Sequence, residues 1–420
     1  MNMFKRYCLV CVAGLLAAGV MAQSQHFHAN IQNEAVSRYM SEVTYTTMED
    51  SSRVAEFLES AAGERLDVPN PVFVQVPELL RSYLGNKTFS VRYWLDGTTD
   101  AEVTDTVFAK ANSQGAPIYD VQPDVECYFN TYLFNNMIGS GTVTTEGPVR
   151  MIYLPTMRNV RDLGGWTTSD GRTIKYGKLI RGSELNGMHV ASAADIRHLR
   201  ILGVEAELDM RADYEDAHGV SAFGFKSAKQ AGSDELATYL YTNSSGQLVE
   251  HLTSYSYLQR WRQEFNFIVS NLRAGRTIYF HCRWGADRTG YLALLLEGLL
   301  GVPYDGLIKD YELSAFATLD KKKEMIDPVI EVVCTYKGET LQEKFEDFWI
   351  KRVGVKQADV DFFIEEMLEG DGGEVVTSVE KIEESPVSTV TYDLMGRRVS
   401  PNHKGLVIRR QRLMWSKGVE

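Results

Sequence analysis

One segment of the chain passes from an apolar strand pattern through a short loop into a strongly apolar helix, and it reads Tyr279-Phe280-His281-Cys282-Arg283-Trp284-Gly285-Ala286-Asp287-Arg288-Thr289-Gly290. The length and composition of the flanking runs predict a strand over residues 277–281 and a helix over residues 289–300. Strands and amphipathic helices alternate around this segment, which indicates an α/β domain whose helices cover a mostly parallel sheet. The segment therefore predicts a loop that follows a buried strand and opens a helix.

This loop has the composition of an anion-binding site that carries a nucleophile. A loop at a helix N-terminus aims consecutive backbone N–H groups at one point and adds the positive end of the helix dipole, which favours both a bound anion and a thiolate. Cys282 is therefore expected to be the thiolate, and Arg288 is expected to fold back and grip two phosphate oxygens. Gly285 lets the loop turn, and the Thr289 hydroxyl is predicted to assist the sulfur when it leaves.

Two acid–base groups belong to the same segment. Asp287 is predicted to protonate the leaving oxygen and later to accept a proton from water. His281 is predicted to hydrogen-bond the loop rather than to exchange protons, which would still support the thiol. The positions predicted to complete the phosphate site are Arg283, Trp284, Gly285, Ala286, Thr289 and Gly290.

The segment resembles the active-site loop of the cysteine-dependent tyrosine phosphatase superfamily, and it is most similar to a bacterial branch with the pattern His-Cys-x-x-Gly-Lys-Asp-Arg-Thr-Gly. The opening signature of that branch is resembled by Asn159-Val160-Arg161-Asp162-Leu163-Gly164-Gly165-Trp166, Asp170-Gly171, Gly177 and Ile180-Arg181-Gly182-Ser183-Glu184-Leu185. Asp209-Met210-Arg211 resembles its internal Asp-x-Arg. The resemblance covers residues 152–368 and implies Cys282 as nucleophile, Arg288 as phosphate ligand and Asp287 as acid. It also implies hydrolysis of phosphotyrosine, related phosphoproteins or phosphoinositides through a phosphocysteine intermediate.

The loop departs from that pattern at one position. Ala286 stands where the branch has lysine, so one positive charge beside the phosphate is missing. This departure disfavours highly charged inositol lipids as substrates.

The charged residues outside the loop each have two possible roles, one functional and one structural. Arg161 and Arg181 either line the phosphate pocket or form structural ion pairs, and Asp209 either supports catalysis or simply pairs with Arg211. The acidic residues at positions 213, 215 and 216 either lie on a mobile acid loop or form a solvated face. These alternatives are open at the level of the sequence.

The N-terminal part shows short β-type runs, such as the alternating apolar residues at positions 89, 91, 93 and 95, and it predicts an antiparallel β-sandwich. A Gly-rich and then charged stretch after residue 369 predicts a linker. The predicted parts are a leader (1–22), a β-sandwich domain (23–150), a phosphatase domain (151–370), a linker (371–388) and a C-terminal segment (389–420).

The first residues indicate a signal peptide, because Lys5 and Arg6 precede an apolar stretch over residues 7–20 and cleavage is expected after Ala22. A membrane anchor is the alternative, but the stretch is shorter than the ~20 residues of a spanning helix. A lipidated Cys8 or Cys11 lacks the small residues expected before it. We therefore expect a secreted, periplasmic or cell-surface protein.

Charge and cysteine content narrow the function further. The 44 basic and 56 acidic residues give a net charge of −12, which argues against a nucleic-acid partner, so a phosphorylated substrate needs a local basic site.

Cys127, Cys282 and Cys334 would remain after cleavage, and three thiols make no disulfide framework. Cys127 and Cys334 are interpreted as ordinary buried thiols. No metal or organic cofactor is expected.

The C-terminal segment indicates a separate small β unit. Residues 392–399 and 404–408 read as two strands joined by a turn, and they resemble the sorting domain that directs bacterial proteins through an outer-membrane secretion system. The resemblance implies the secretion machinery as a partner.

Two rival functions use the same loop. A catalytically weak phosphate-binding module would keep the anion site and lose turnover. A sulfur-transfer or redox thiol would act on thiosulfate or disulfides and would have little need for Arg288.

Overall fold

The computed structural model describes residues 24–58, 65–95, 104–233, 235–244, 252 and 254–373, and the backbone of strands between residues 391 and 416. The predicted leader, with its cleavage site after Ala22, lies outside the described residues, as does most of the predicted linker. The chain divides into two compact units, one up to Gly373 and one from Glu374 onward.

The N-terminal part of the first unit is rich in β-structure. Its strands are β1 (Gln25–Asn30), β2 (Val72–Val74), β3 (Thr88–Trp94), β4 (Asp105–Lys110), β5 (Ala116–Ile118), β6 (Cys127–Leu133) and β7 (Asn136–Glu146). Five of them form a sheet in the order β1-β7-β6-β3-β4, and β2 pairs with β5. Buried and partly exposed side chains alternate along β6, so its apolar face packs into a core shared with β2 and β5. The sheet formed by β2 and β5 has two strands, so the β-sandwich stays a prediction.

Another five-stranded sheet lies at the centre of the α/β part. The strands of this part are β8 (Arg161–Asp162), β9 (Thr173–Ile174), β10 (Leu179–Gly182), β11 (Val204–Asp209), β12 (Tyr239–Tyr241), β13 (Thr277–His281) and β14 (Leu368–Glu369). The sheet order is β12-β11-β13-β10-β8, with β8 antiparallel to β10 and the other neighbours parallel. All five side chains of β13 are buried, as expected for a strand that is covered on both faces.

Helices accompany both β-containing parts of the first unit, and the helix over residues 78–84 contributes Leu80 and Leu84 to the N-terminal core. The helices are α1 (Glu34–Glu42), α2 (Glu78–Leu84), α3 (Ala193–Ile201), α4 (Ala228–Ala231), α5 (Tyr255–Arg273), α6 (Arg288–Leu299), α7 (Tyr304–Glu312), α8 (Asp327–Cys334), α9 (Leu341–Asp347) and α10 (Gln357–Met367). A capping box made by Ser192 and Asp195 opens α3. Helix α6 is buried from Thr289 to Leu299, because its sequence is apolar on all sides. Helix α9 is followed by the π-helical turn Phe348–Val353.

The N-terminal helix α1 packs on the core of the α/β part. Its residues Val36 and Tyr39 belong to the same apolar cluster as α6 and α7. The hydroxyls of Tyr39 and Tyr45 donate to the buried carboxylate of Glu312 at 2.6 and 2.7 Å. Such hydrogen bonds to a charged acceptor fix α1 on α7. The predicted boundary at residue 150 stays a prediction, since residues from both sides share this core.

The second unit contains a four-stranded sheet. Its strands are β15 (Thr391–Asp393), β16 (Arg398–Val399), β17 (Gly405–Arg409) and β18 (Arg412–Ser416), in the order β16-β15-β17-β18, and all neighbours are antiparallel. The first predicted strand (392–399) corresponds to β15 and β16, and the second (404–408) corresponds to β17. In the described residues of both units, no helix is long and apolar enough to cross a membrane.

Candidate active site

The segment around Cys282 lies at the carboxyl edge of the central sheet. Strand β13 runs parallel to both β10 and β11, and the loop leaves it after His281 and enters α6 at Arg288. The amide of Met210, just beyond β11, donates to the His281 carbonyl at 2.9 Å. This edge of an open α/β sheet is where ligand sites form, because loops and helix N-termini converge there.

The loop carbonyls are turned outward by hydrogen bonds from other parts of the chain. The carbonyl of Arg283 accepts from the amide of Glu184 at 3.3 Å. The side-chain amide of Asn159 donates to the carbonyl of Trp284 at 3.3 Å and to that of Gly285 at 3.0 Å. The Gly285 carbonyl also accepts from Arg181 Nη2 at 2.9 Å. In a planar trans peptide the N–H points opposite to the C=O. The N–H groups of residues 284–286 therefore point away from these donors, which is the arrangement of an anion-binding nest.

Gly285 is required by both conformation and space. Its φ is +68°, in the left-handed region that favours glycine. A Cβ at this position would lie 2.4 Å from the backbone carbonyl of Gly182 at the end of β10. The loop thus packs directly on the neighbouring strand, as the sequence predicted for a turn without a Cβ.

Arg161 and Arg181 lie behind the loop, in a buried cluster with Asp310. The guanidinium Nε of Arg161 lies 2.8 Å from Asp310 Oδ1, and Arg181 pairs with the other oxygen of the same carboxylate. Both arginine side chains are at most 2% exposed. This placement departs from the predicted phosphate contact and matches the alternative of structural ion pairs, since the two guanidiniums bind protein groups instead.

Burial shifts the pKa values of two groups in this cluster. Two guanidiniums face the one carboxylate of Asp310, and burial lowers the pKa of Arg181, whose interaction with Asp310 opposes this change. Burial also raises the pKa of the neighbouring Glu297 well above its ordinary value, while the charges of Arg181 and Arg161 oppose this change. The two guanidiniums lie directly behind the loop, and Arg181 contacts it through the Gly285 carbonyl.

Arg288 is held by three elements at the edge of the sheet. Its guanidinium makes a bidentate pair with Glu215 at 2.5 and 2.9 Å. The same Nη1 donates to the carbonyls of Met210 at 3.1 Å and Ser244 at 2.9 Å. Burial opposes the charge, but the interactions with Cys282 and with Glu215 outweigh it and raise the pKa of Arg288. Arg288 is thus a fixed cation.

Glu215 is the site residue that the sequence did not single out. It belongs to the acidic run read as either a mobile acid loop or a solvated face, yet the structure buries it to 5% exposure. Its carboxylate also accepts from the amide of Ala212 at 2.5 Å. The sequence carries one signal for this role: Glu215 follows shortly after the end of a strand, where a carboxylate can orient the arginine at the end of the loop.

Cys282 and Asp287 occupy different depths of the loop. Cys282 is 1% exposed and carries a free thiol. The Asp287 side chain is 49% exposed, and its Oδ1 lies 2.7 Å from Lys321 Nζ. The buried sulfur is suited to be a nucleophile. The carboxylate near the surface is suited to protonate a leaving group.

His281 and Thr289 are fully buried neighbours of the cysteine. His281 Nε2 lies 3.0 Å from the carboxylate of Glu207, which fixes the ring. Among the described residues, His281 Nδ1 and Thr289 Oγ1 have no hydrogen-bond partner. The bond predicted from Thr289 to the sulfur is therefore not formed here, although its hydroxyl is available to donate.

The other predicted loop residues lie as follows. Arg283 reaches Met188 Sδ at 3.6 Å, and the Trp284 ring meets His189 edge-on with centroids 4.5 Å apart. Ala286 and Gly290 are buried, so they contribute backbone rather than side-chain chemistry. Trp284 and His189 therefore form an aromatic wall beside the loop.

Asp209 is held in a buried ion pair with Arg211. Its two oxygens pair with the guanidinium of Arg211 at 2.9 and 2.8 Å, and Tyr239 donates to it at 2.9 Å. Burial would raise its pKa, but the hydrogen bond from Arg211 and the charge of His281 hold the pKa at about 2. These contacts favour the ion-pair reading over a catalytic role.

The described residues offer no group of three or more His, Cys, Asp or Glu side chains that would hold a metal ion.

Comparison with known proteins places this site in a family. A model described as "Tyrosine phosphatase family" matches residues 152–369, just over half of the chain. The "Putative tyrosine-protein phosphatase" of Cupriavidus necator is 30% identical over 204 residues, which are 43% of this chain and 74% of that protein. The triple specificity protein phosphatase of Mycobacterium tuberculosis is 26% identical over 191 residues, covering 38% and 67% of the two chains. A tyrosine-protein phosphatase of Nostoc commune is 28% identical over 132 residues, covering 29% and 44%.

The buried cluster predicts a large stability effect at Asp310. Asp310→Asn removes the negative charge between two buried guanidiniums, so we expect the free energy of unfolding to fall by about 3–5 kcal/mol. The control is Asp359→Asn, which breaks a pair with Arg273 whose guanidinium side chain is 44% exposed, and it should cost about 1 kcal/mol or less. Urea unfolding at neutral pH measures both, and equal losses would contradict the structural role of the cluster.

The low pKa of Asp209 predicts part of the acid sensitivity. Because the folded-state pKa of about 2 lies below the ordinary value of 3.8, the ionised group stabilises the fold above pH 3.8. That stabilisation, about 2 kcal/mol, is lost as the pH falls from 3.8 toward 2. Asp209→Asn should flatten the decline of unfolding free energy in this range, whereas Asp371→Asn, at an exposed position, should not. An unchanged acid profile in Asp209→Asn would refute the assignment.

Proposed function

The chain belongs to the tyrosine phosphatase family, and on that basis we propose that it hydrolyses phosphate monoesters, phosphotyrosine in proteins first among them, with Cys282 as the nucleophile. The observation that carries the proposal is the loop itself. A buried thiol at its start, outward-turned carbonyls along it and a fixed guanidinium at its end belong to one loop, and the interaction with Cys282 contributes to the raised pKa of Arg288.

The proposed reaction has two steps. In the first, the Cys282 thiolate attacks phosphorus, the bond to the ester oxygen breaks, and that oxygen takes the electron pair and a proton from Asp287. In the second, water attacks the phosphocysteine, the sulfur–phosphorus bond returns its electron pair to sulfur, and Asp287 takes the proton from water. The products are the dephosphorylated alcohol or phenol and inorganic phosphate.

Each neighbouring group has a place in these steps. The amides of residues 284–286 and the guanidinium of Arg288 stabilise charge on the transferring phosphoryl group. Thr289 donates to the departing sulfur in the second step, and Glu215 holds Arg288 in one orientation. Arg161 and Arg181 act on the loop through Asn159, Asp310 and the Gly285 carbonyl, so they position rather than bind.

The substrate is proposed to be an aryl phosphate on a protein. The edge-on pair of Trp284 and His189 offers an aromatic wall for a phenyl ring. Ala286 supplies no charge for a second phosphate within the loop, which favours phosphotyrosine over highly charged inositol lipids. A panel of phosphotyrosine, phosphoserine and phosphoinositide substrates at equal concentration tests this order.

Removal of the nucleophile tests the activity. We expect Cys282→Ser to lower kcat on p-nitrophenyl phosphate by at least about 1000-fold, because a serine hydroxyl in this loop is a far weaker nucleophile than a thiolate. The control is Cys334→Ser, which removes another free cysteine and should leave kcat unchanged. Turnover that survives Cys282→Ser would refute the mechanism. A wild-type chain that binds inorganic phosphate and turns over no substrate of the panel would establish the phosphate-binding module instead.

We also propose that the chain is exported. The charged and then apolar start of the sequence supports a leader cleaved after Ala22, and the C-terminal unit supports passage through an outer-membrane secretion system. N-terminal sequencing of protein recovered from outside the cytoplasm should begin at Gln23. Recovery of uncleaved chain from the cytoplasm alone would contradict export.

A further inference from the structure

A lysine that is distant in sequence reaches the loop beside its uncharged position. Residue 286 is alanine, and at the next residue Lys321 Nζ lies 2.7 Å from Asp287 Oδ1. The Lys321 side chain is 16% exposed. Partial burial of an ammonium group costs free energy unless the charge is paired, so this contact is a specific one.

Three consecutive lysines in this segment have three different environments. Lys322 is 47% exposed and pairs at 3.1 Å with Asp320, which is itself 75% exposed. Lys323 is fully buried and donates to Asp327 at 2.6 Å and to the carbonyl of Met48 at 2.9 Å. Of these three lysines, Lys321 is the one that contacts the loop in the part of the chain that the structure describes. A solvated charge run would not sort its members in this way.

The segment that carries Lys321 is fixed at both ends. Before it, Thr318 has a φ of +65° and accepts a hydrogen bond from Arg158 Nη1 at 2.9 Å. After it, the amide of Lys323 donates to the buried carboxylate of Glu312 at 2.8 Å. The backbone around Lys321 is therefore placed before any substrate binds, which lowers the entropy lost on aligning its ammonium group.

We propose that Lys321 is a positioning residue for Asp287, an inference that rests on the proposed function of Asp287 as the proton donor. The contact holds Oδ1 and leaves Oδ2 for the leaving oxygen. In the form of Asp287 that acts as the acid, the proton is on Oδ2; as it moves to the leaving oxygen, negative charge develops on Asp287 and the adjacent ammonium stabilises the carboxylate that forms. This interaction grows during the reaction, so it lowers the barrier of the first step.

The test compares two substrates that differ in their need for a proton. Phenyl phosphate has a poor leaving group that must be protonated, whereas dinitrophenyl phosphate has one that leaves unprotonated. We expect Lys321→Met to lower single-turnover rates on phenyl phosphate by about 10- to 100-fold and on dinitrophenyl phosphate by about threefold or less. Because both rates come from one sample, their ratio is independent of the folded fraction.

Controls separate this role from a structural one. Lys321→Arg should restore most of the rate on phenyl phosphate, and Lys322→Met should match the wild type on both substrates. In a double variant with Asp287→Asn, Lys321→Met should add little further loss, since both changes act on one proton transfer. Equal losses on the two substrates, or additive losses in the double variant, would overturn the proposal.

Failure of this inference and failure of the proposed function give different results. A wild-type chain that turns over both substrates in a Cys282-dependent way, with no substrate difference in Lys321→Met, overturns the role of Lys321 alone. A wild-type chain that cleaves neither substrate overturns the phosphatase assignment and with it the role of Asp287.

Discussion

The hydrogen bond from Arg181 to the Gly285 carbonyl joins the parts of this site. At 2.9 Å it helps to turn the loop so that its amides face the opposite way, and Asn159 does the same for the adjacent carbonyl. Arg181 is fully buried, and a buried guanidinium needs a counter-charge, which Asp310 on α7 supplies. The loop geometry therefore depends on residues from three distant parts of the chain, and this is why the signature around residues 159–181 accompanies the cysteine segment.

Charge is arranged in layers around the loop. The chain as a whole carries −12, yet two buried guanidiniums lie behind the loop, Arg288 lies at its end and Lys321 contacts Asp287. Glu215 balances Arg288 and fixes its plane while leaving Nε outside their bidentate contact. These cations favour an anion at the loop, so the negative net charge of the chain and an anionic substrate do not conflict.

The sequence predicted the local features well, because they depend on neighbours along the chain. Strand β13, the start of α6, the capping box of α3 and the need for glycine at position 285 all follow from short-range patterns. The contacts of Glu215, Lys321 and Arg161 were not predictable in the same way. Each is a pairing between charged residues far apart in sequence, and a run of charges does not reveal which member is buried. Helix α1 was missed for a similar reason, since its position depends on the Glu312 carboxylate.

The central claim is that the sulfur of Cys282 bonds to phosphorus during turnover. Rapid acid quench of the enzyme with an aryl phosphate, followed by mass spectrometry of its peptides, tests this directly. The account predicts a phosphate adduct on the peptide that contains Cys282, formed within the first turnover and decaying as inorganic phosphate appears. Hydrolysis without any adduct on Cys282, or an adduct on another residue, would contradict it.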